Sequence, residues 1–285
     1  MKKTMLLALI AMMMMACAND KEESVRLSKE ITFSVDGDFL SPIFRTPTTR
    51  ASLVADGVEM TDLWVLDYMD GVLVQSMHQV KTDADWGTPK LSLAYGSHHV
   101  YFVAARGDNP TLDESGHTIT WEKPKDTFWL DEAVNVTQTT TSTRSVTLNR
   151  VATKLKVTVK DEVPEACAQI TIKPSTWYCG FDYLNGLAVG ATNETRVITV
   201  PASYAGTTGS LSASIFGLSD TDEWTTDILL QSLTDDGTVL GQATITNAPF
   251  KRNRATEYSG NLFGSGGGMD VNLNDTWEQA FTAEW

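Results

Sequence analysis

Short stretches in which apolar and polar residues alternate recur along almost the whole chain. In Ile31-Thr32-Phe33-Ser34-Val35 the apolar side chains occupy every second position, which is the period of a half-buried β-strand. The same pattern recurs in later segments: 155–159, 168–172, 197–200 and 211–215. No long stretch has the 3.6-residue period of an amphipathic helix. The sequence therefore predicts an all-β protein.

Turn residues separate neighbouring apolar runs at short range. Three such turns are Asp70-Gly71, Tyr95-Gly96-Ser97 and Asp236-Gly237. Asp-Gly between alternating segments is a strong hairpin signal, and such short connections join antiparallel strands. Many short strands with frequent turn signals predict antiparallel sheets packed as β-sandwiches.

A polar, threonine-rich segment divides the chain near its middle. Residues 136–143 read VTQTTTST, and an apolar strand pattern restarts at Leu148. The length of the chain suits one large or two ordinary domains. We therefore expect two β-sandwich domains in tandem, an N-terminal domain at 30–147 and a C-terminal domain at 148–285.

The N-terminus has the features of an export signal. Lys2 and Lys3 precede an apolar run from Met5 to Ala16, and a charged start followed by such a run is typical of a secretory signal peptide. The run is too short for a transmembrane helix, which needs about 20 apolar residues. Residues 1–16 are thus expected to be removed.

Cys17 directly follows this apolar run. The sequence Met14-Met15-Ala16-Cys17 resembles a bacterial lipobox, in which the cysteine is acylated and anchors the protein to the outer membrane. Residues 17–29, in which the charged segment ANDKEE follows Cys17, would form a flexible tether. The alternative is an ordinary signal peptide followed by a cysteine of no special function.

Composition and motifs point away from nucleic-acid binding and from catalysis. The formal net charge is -14, the wrong sign for contacts with phosphates. The four histidines form no HExxH motif and no zinc-ligand spacing, and no GxSxG or GxxxxGK[ST] motif is present. His98 and His99 are expected on opposite faces of one strand. We therefore expect no enzymatic activity, no cofactor and no metal site.

Two further cysteines, Cys167 and Cys179, flank a strand and a turn. An exported protein lies in a compartment that permits disulfides. The two residues would face each other if the strands around Lys173-Pro174-Ser175 formed a hairpin. A disulfide between them and two buried free thiols are both compatible with the sequence.

The order of these features resembles the fimbrillin family of the Bacteroidetes, which includes major fimbrial subunits and anchor subunits. The similarity extends over the mature chain and is most characteristic at residues 146–157 (VTLNRVATKLKV) and 253–263 (NRATEYSGNLF). The resemblance implies two β-sandwich domains, export as a lipoprotein, and assembly into surface fimbriae with other fimbrial subunits by strand exchange. In the shaft subunits of the family, a protease first removes the first strand.

The resemblance also assigns roles to particular residues. The exchanged strand would be 31–35, with Ile31, Phe33 and Val35 as its buried face. The loop that follows contains Arg45 and Arg50 among prolines and threonines, which makes it a candidate site of proteolytic processing. The alternative is an anchor subunit that is never cut.

The C-terminal segment offers a candidate donor strand. Residues 269–273 alternate in polarity, and Trp277, Phe281 and Trp285 recur at a spacing of four. The alternative is a final strand that packs on its own domain.

A second functional class remains open from the sequence, a surface-tethered protein that binds a carbohydrate or a host ligand without polymerising. Trp86, Trp121 and Trp129 are candidates for stacking on sugar rings, although buried tryptophans in a hydrophobic core are the alternative explanation.

Overall fold

The computed structural model describes residues 27–37, 53–55, 58–219, 221–263 and 269–274. Within these ranges the regular structure is β, apart from one 3-10 turn at Ala202–Tyr204. The all-β prediction is confirmed. No helix in the described ranges is long and apolar enough to cross a membrane.

The strands of the first half of the chain are β1 (Ser28–Gly37), β2 (Val54–Ala55), β3 (Val58–Glu59), β4 (Asp62–Met69), β5 (Val72–Val80), β6 (Lys90–Ala94), β7 (Gly96–Asp108), β8 (Thr111–Asp113), β9 (Thr118–Thr120), β10 (Lys123–Val136) and β11 (Thr143–Arg150). Those of the second half are β12 (Thr153–Val159), β13 (Gln169–Pro174), β14 (Trp177–Asp182), β15 (Leu187–Thr192), β16 (Arg196–Thr199), β17 (Ser212–Gly217), β18 (Glu223–Leu233), β19 (Val239–Lys251), β20 (Ala255–Gly260) and β21 (Met269–Asn274).

The first half forms a seven-stranded sheet in the order β5-β4-β7-β10-β11-β1-β6. This sheet curls over on itself. Phe33 of β1 and Phe102 of β7 lie three strands apart in that order, yet their ring centroids are 5.2 Å apart. Apolar side chains from both ends of the sheet belong to a single buried cluster. The result is a sandwich closed around its own core, as predicted for this half.

The second half packs two four-stranded sheets against each other. Their orders are β17-β12-β20-β21 and β16-β13-β18-β19. A buried cluster drawn from both sheets fills the space between them, with Trp177 1% exposed at its edge. The Trp177 indole N–H donates to the Phe216 carbonyl oxygen at 2.8 Å, which satisfies its polar atom inside the core.

A further sheet joins the two halves. Its order is β15-β14-β9-β8, so β8 and β9 come from the first half of the chain and β14 and β15 from the second. It covers the outer face of β4 and β7 and buries a third cluster that contains Tyr68, Phe181 and Tyr183. The position of the domain boundary stays a prediction. Residues 147 and 148 lie inside β11, which ends at Arg150, and β12 begins at Thr153.

Most strand pairs are antiparallel, as the short turns predicted, but two are parallel. These are β1 with β11 and β12 with β20. Each joins strands that are far apart in the sequence, so no hairpin signal marks it. Two of the three turns form hairpins, β4–β5 and β18–β19. At the first, Asp70 and Gly71 both have positive φ, 53° and 76°, as a two-residue type I′ turn requires.

The third turn is different. β6 and β7, on either side of residue 95, do not pair with each other. β6 pairs with β1, whereas β7 pairs with β4 and β10. The chain therefore passes from one side of the curled sheet to the other at this point, a change that the local sequence does not reveal.

Candidate strand-exchange site

Strand β1 is an internal strand whose side chains alternate cleanly between core and surface. Ile31, Phe33 and Val35 are all 0% exposed. Thr32 and Ser34 between them are partly exposed. The predicted shared face is therefore the core face of the sheet.

Backbone hydrogen bonds hold β1 on both sides. On one side it runs parallel to β11, from Thr32 opposite Thr143 to Gly37 opposite Leu148. On the other it runs antiparallel to β6, from Ser28 opposite Ala94 to Thr32 opposite Lys90. The pairing continues before the first residue of β6, because the Phe33 N–H donates to the Pro89 carbonyl oxygen at 2.9 Å. Removal of β1 would leave two unpaired strand edges and a gap between them.

The gap would also be strongly apolar. The side chains that surround the β1 core face are fully buried, among them Leu91, Leu93 and Phe102. Burial of one large apolar side chain contributes about 1.5–3 kcal/mol, so the three β1 side chains together contribute about 5–9 kcal/mol. This is comparable to the net stability of a whole domain. A strand that left this site would have to be replaced by another for the sandwich to remain folded.

A buried histidine supports the strand that flanks β1. His98 Nε2 lies 2.8 Å from the carbonyl oxygen of Ala94, the last residue of β6. A carbonyl oxygen can only accept, so Nε2 carries the proton of this bond. His98 Nδ1 lies 2.8 Å from Oδ1 of Asp67, and both side chains are at most 1% exposed. Burial raises the pKa of Asp67, and the hydrogen bond with His98 opposes that rise.

The hydrogen-bonded pair of His98 and Asp67 lies next to the first residues of β1. Ala94 is opposite Ser28 in the sheet, and the Tyr95 N–H donates to the Leu27 carbonyl oxygen at 2.8 Å. The alternation of side chains along a strand predicts that His98 and His99 face opposite ways, and the His99 side chain is indeed 56% exposed. No local sequence signal indicates that Asp67 is the partner of His98.

Several predicted site residues lie outside the described residues. These are the lipidation candidate Cys17 and the processing candidates Arg45 and Arg50. Residues 275–285 of the candidate donor segment also lie outside them. Residues 269–274 form β21, which pairs with β20 of the same chain at the edge of its sheet.

The two remaining cysteines are free thiols, so the disulfide that the sequence left open is not formed. The reason is topological, because β13 and β14 do not form the hairpin that would bring the residues together. β13 pairs with β16 and β18, whereas β14 pairs with β9 and β15. Cys167 is buried in the core of the second half, and Cys179 accepts a hydrogen bond from Arg196 at 3.0 Å.

The candidate tryptophans are packed against the protein. Trp121 is 3% exposed, and Trp86 packs against the first core. The Trp129 indole N–H donates to the Tyr183 carbonyl oxygen at 2.8 Å. Trp121 is therefore a core residue, whereas Trp86 and Trp129 are partly exposed and pack against the first and third clusters. No group of three or more His, Cys, Asp or Glu side chains in the described part of the chain is arranged to hold a metal ion.

Comparison with known proteins gives a family and a fold. A family model described as "Family of unknown function (DUF6562)" matches residues 110–285, which is more than half of the chain. No curated protein matches the sequence.

Solved structures with the same fold come from Bacteroides species. One from Bacteroides thetaiotaomicron, described as "a putative adhesin", has a TM-score of 0.52 at 10% identity, over 88% of this chain and 100% of that one. One from Bacteroides ovatus with the same description has a TM-score of 0.52 at 10% identity, over 88% and 94%.

A third, from Bacteroides thetaiotaomicron, is described as "putative polysaccharide binding proteins (DUF1812)". Its TM-score is 0.51 at 8% identity, over 86% of this chain and 96% of that one. At these identities the likeness shows a shared fold. That fold agrees with the β-sandwich architecture that the resemblance to the Bacteroidetes fimbrillin family implied.

Proposed function

This chain belongs to the family of unknown function DUF6562, and we propose that it is a structural subunit of a bacterial surface fimbria, as shaft, anchor or minor component. In this proposal it is exported as a lipoprotein, is anchored to the outer membrane through Cys17, and assembles with other fimbrial subunits by β-strand exchange. It acts without a cofactor and is not an enzyme.

The observation that carries the proposal is the position of β1. This strand is an internal strand of its sheet, paired with β11 and β6, and Ile31, Phe33 and Val35 are fully buried. Its only covalent link to the rest of the folded chain runs through the segment between Gly37 and Leu53. A cut in that segment would leave β1 held by non-covalent contacts alone, and a strand from a neighbouring subunit can replace those contacts one for one.

Cleavage at Arg45 or Arg50 would supply that cut. Because β1 contributes about 5–9 kcal/mol of apolar burial, it would not leave the uncut protein at an appreciable rate. Proteolysis would thus convert a subunit that retains β1 and cannot assemble into one that can. The C-terminal segment from Met269 onward, with its alternating polarity, is the candidate donor strand for the next subunit.

The fold supports a role at the cell surface, because the solved structures that share it include proteins described as adhesins. It equally supports the alternative, a surface-tethered protein that binds a carbohydrate or a host ligand and does not polymerise, since one similar structure is described as polysaccharide-binding. The two functions differ in whether the cut protein associates with itself or with partner subunits.

Treatment of the purified protein with an arginine-specific protease tests the proposal. We expect a cut within residues 45–50, followed by self-association visible by light scattering and electron microscopy. The variant R45A/R50A should remain monomeric under the same treatment. A clean cut whose product stays monomeric, even with partner subunits supplied, would exclude the shaft role and leave an uncut anchor or a tethered binding protein.

Lipid attachment has a separate test, since it does not depend on polymerisation. Metabolic labelling with a fatty acid should mark the wild-type protein and not the variant C17A. Equal labelling of both would remove Cys17 as the anchor.

A further inference from the structure

A small cavity lies where the first half of the chain meets the second. Its volume is about 80 Å³, and it is lined by residues of β10, β16 and β17: Lys123, Pro124, Lys125, Arg196, Val197, Ile198, Ser214, Ile215 and Phe216. The charged residues in this lining are three cations, Lys123, Lys125 and Arg196, in a chain whose formal net charge is -14. We call this site the cationic cleft.

Arg196 is the most firmly positioned of the three. It is 9% exposed. Its NH1 group donates to the Glu122 carbonyl oxygen at 2.7 Å, and its NH2 group donates to Cys179 Sγ at 3.0 Å. Burial raises the pKa of the Cys179 thiol above its ordinary value of 9.0 despite the opposing effect of Arg196, so the thiol is uncharged at neutral pH.

The partners that orient Arg196 therefore do not neutralise it. No ion pair joins a carboxylate to Arg196, Lys123 or Lys125 in the described ranges. Three acidic residues lie near these cations, Glu122, Glu194 and Asp108, which is opposite Lys123 in the sheet. None of them lines the cleft. A buried cation without a counter-charge is unfavourable, and an anion in the cleft would remove that cost.

An irregularity in β10 places Lys125, whereas Lys123 lies just before it, opposite Asp108 in the sheet. The register between β10 and β7 shifts between Pro124 and Thr127, and Lys125 lies inside that shift. A β-bulge of this kind redirects side chains and recurs next to functional sites. Lys123 is exposed and Lys125 is half-buried, so both ammonium groups can reach a ligand that enters from solvent.

The rest of the lining is largely apolar. Pro124, Ile198, Ile215 and Phe216 are buried, and Ser214 is partly exposed. Cations beside an apolar surface suit a ligand with a carboxylate on one side and C–H groups on the other, as in an acidic sugar. About 10–15 Å³ of such cavity volume holds one water molecule, so the cleft has room for a carboxylate and the carbons next to it.

An extended peptide fits the cleft less well. β16 is an edge strand of only four residues, Arg196–Thr199. Very short edge strands and nearby lysines are features that hinder the addition of another strand. A compact anionic group is therefore favoured over a peptide that would extend the sheet.

We propose that the cationic cleft binds the carboxylate of a uronate unit in an acidic glycan, with Arg196, Lys123 and Lys125 as its charge partners. This inference does not depend on strand exchange, because no residue of β1 lines the cleft and binding there requires no proteolysis. The acidic glycan would be a ligand for the protein whether it is a fimbrial subunit or a surface-tethered binding protein.

Calorimetric titration of the full-length protein with a galacturonate trisaccharide tests the proposal. We expect measurable binding at low ionic strength that weakens as salt is added, because salt screens exposed charges. The variant K123Q/K125Q should lower the affinity at least tenfold. The matched control is K81Q/K90Q, which removes the same charge from two exposed lysines elsewhere and should change the affinity less than twofold.

Three further ligands identify the class of the partner. The methyl-esterified trisaccharide should not bind. A sulfated dextran oligosaccharide and a triglutamate peptide should both bind more weakly than the galacturonate. Absence of galacturonate binding, equal affinity in K123Q/K125Q, or equal or tighter binding of the ester, the sulfated sugar or the peptide would overturn the proposal. R196Q should also weaken binding, provided that its circular dichroism matches the wild type.

Discussion

The buried pair of His98 and Asp67 lies next to the proposed exchange site. It joins β7 to β4 and, through the Ala94 carbonyl oxygen, to the end of β6. A pair of this kind contributes little when intact but is costly to break, because the remaining partner is left buried without a hydrogen bond.

We therefore expect H98L to lower the free energy of unfolding by about 3–5 kcal/mol, measured by urea denaturation at pH 7. H99L is the matched control, because the His99 side chain is 56% exposed, and it should change stability by less than about 0.5 kcal/mol. The double variant D67L/H98L should recover part of the loss. Equal losses of unfolding free energy in H98L and H99L would show that the pair of His98 and Asp67 does not stabilise the sandwich.

The face of β7 on which each histidine side chain lies could be predicted from the sequence. The hydrogen-bond partner of His98 could not. Adjacent residues on a strand point to opposite faces, which places His98 inward when His99 is outward. Asp67 meets His98 only because β4 and β7 pair with Met69 opposite His98 and Asp67 opposite Val100. That register is set by long-range packing, which no local pattern records.

At the scale of single elements, the buried face of β1 could be predicted from the sequence, whereas its neighbouring strands could not. Its alternating residues identified the buried face, and Ile31, Phe33 and Val35 are that face. Its neighbours were not predictable, since β11 lies more than 100 residues later and pairs in parallel. β8, β9, β14 and β15 were also not recognised, because these short strands carry no clear alternation.

Replacement of the largest β1 side chain should destabilise the first half of the protein. F33A removes a ring whose centroid lies 5.2 Å from that of Phe102, and a buried Phe→Ala change costs about 3–5 kcal/mol. S34A, on the partly exposed face of the same strand, should cost less than about 0.5 kcal/mol. Chemical denaturation compares the two, and similar losses would contradict the assignment of faces.

At the scale of the whole molecule, the shared sheet couples the two halves. The sequence predicted two sandwiches in tandem, and both cores are present. It did not predict that β8 and β9 pair with strands from the second half and bury Phe181 and Tyr183 against β4 and β7. Such contacts are made between segments that are distant in sequence, so composition and turn signals do not report them.

This coupling should make the protein unfold as one unit. We expect a single calorimetric transition for residues 27–285. F181A should lower its midpoint, because it removes a side chain that is 1% exposed in the shared cluster. Leu187, which is 39% exposed on the same sheet, provides the control L187A with little expected effect. Two well-separated transitions in the wild-type protein would contradict the coupling.

Hydrogen exchange at the β1 site tests the central claim most directly. The protein is cut within residues 38–52, β1 is removed in mild denaturant, and a synthetic peptide of residues 269–285 or its scrambled form is added. The account predicts that amides of β6 and β11 lose protection when β1 is removed and regain it with the native peptide only. Unchanged protection after removal of β1, or no recovery with the native peptide, would contradict strand exchange at this site.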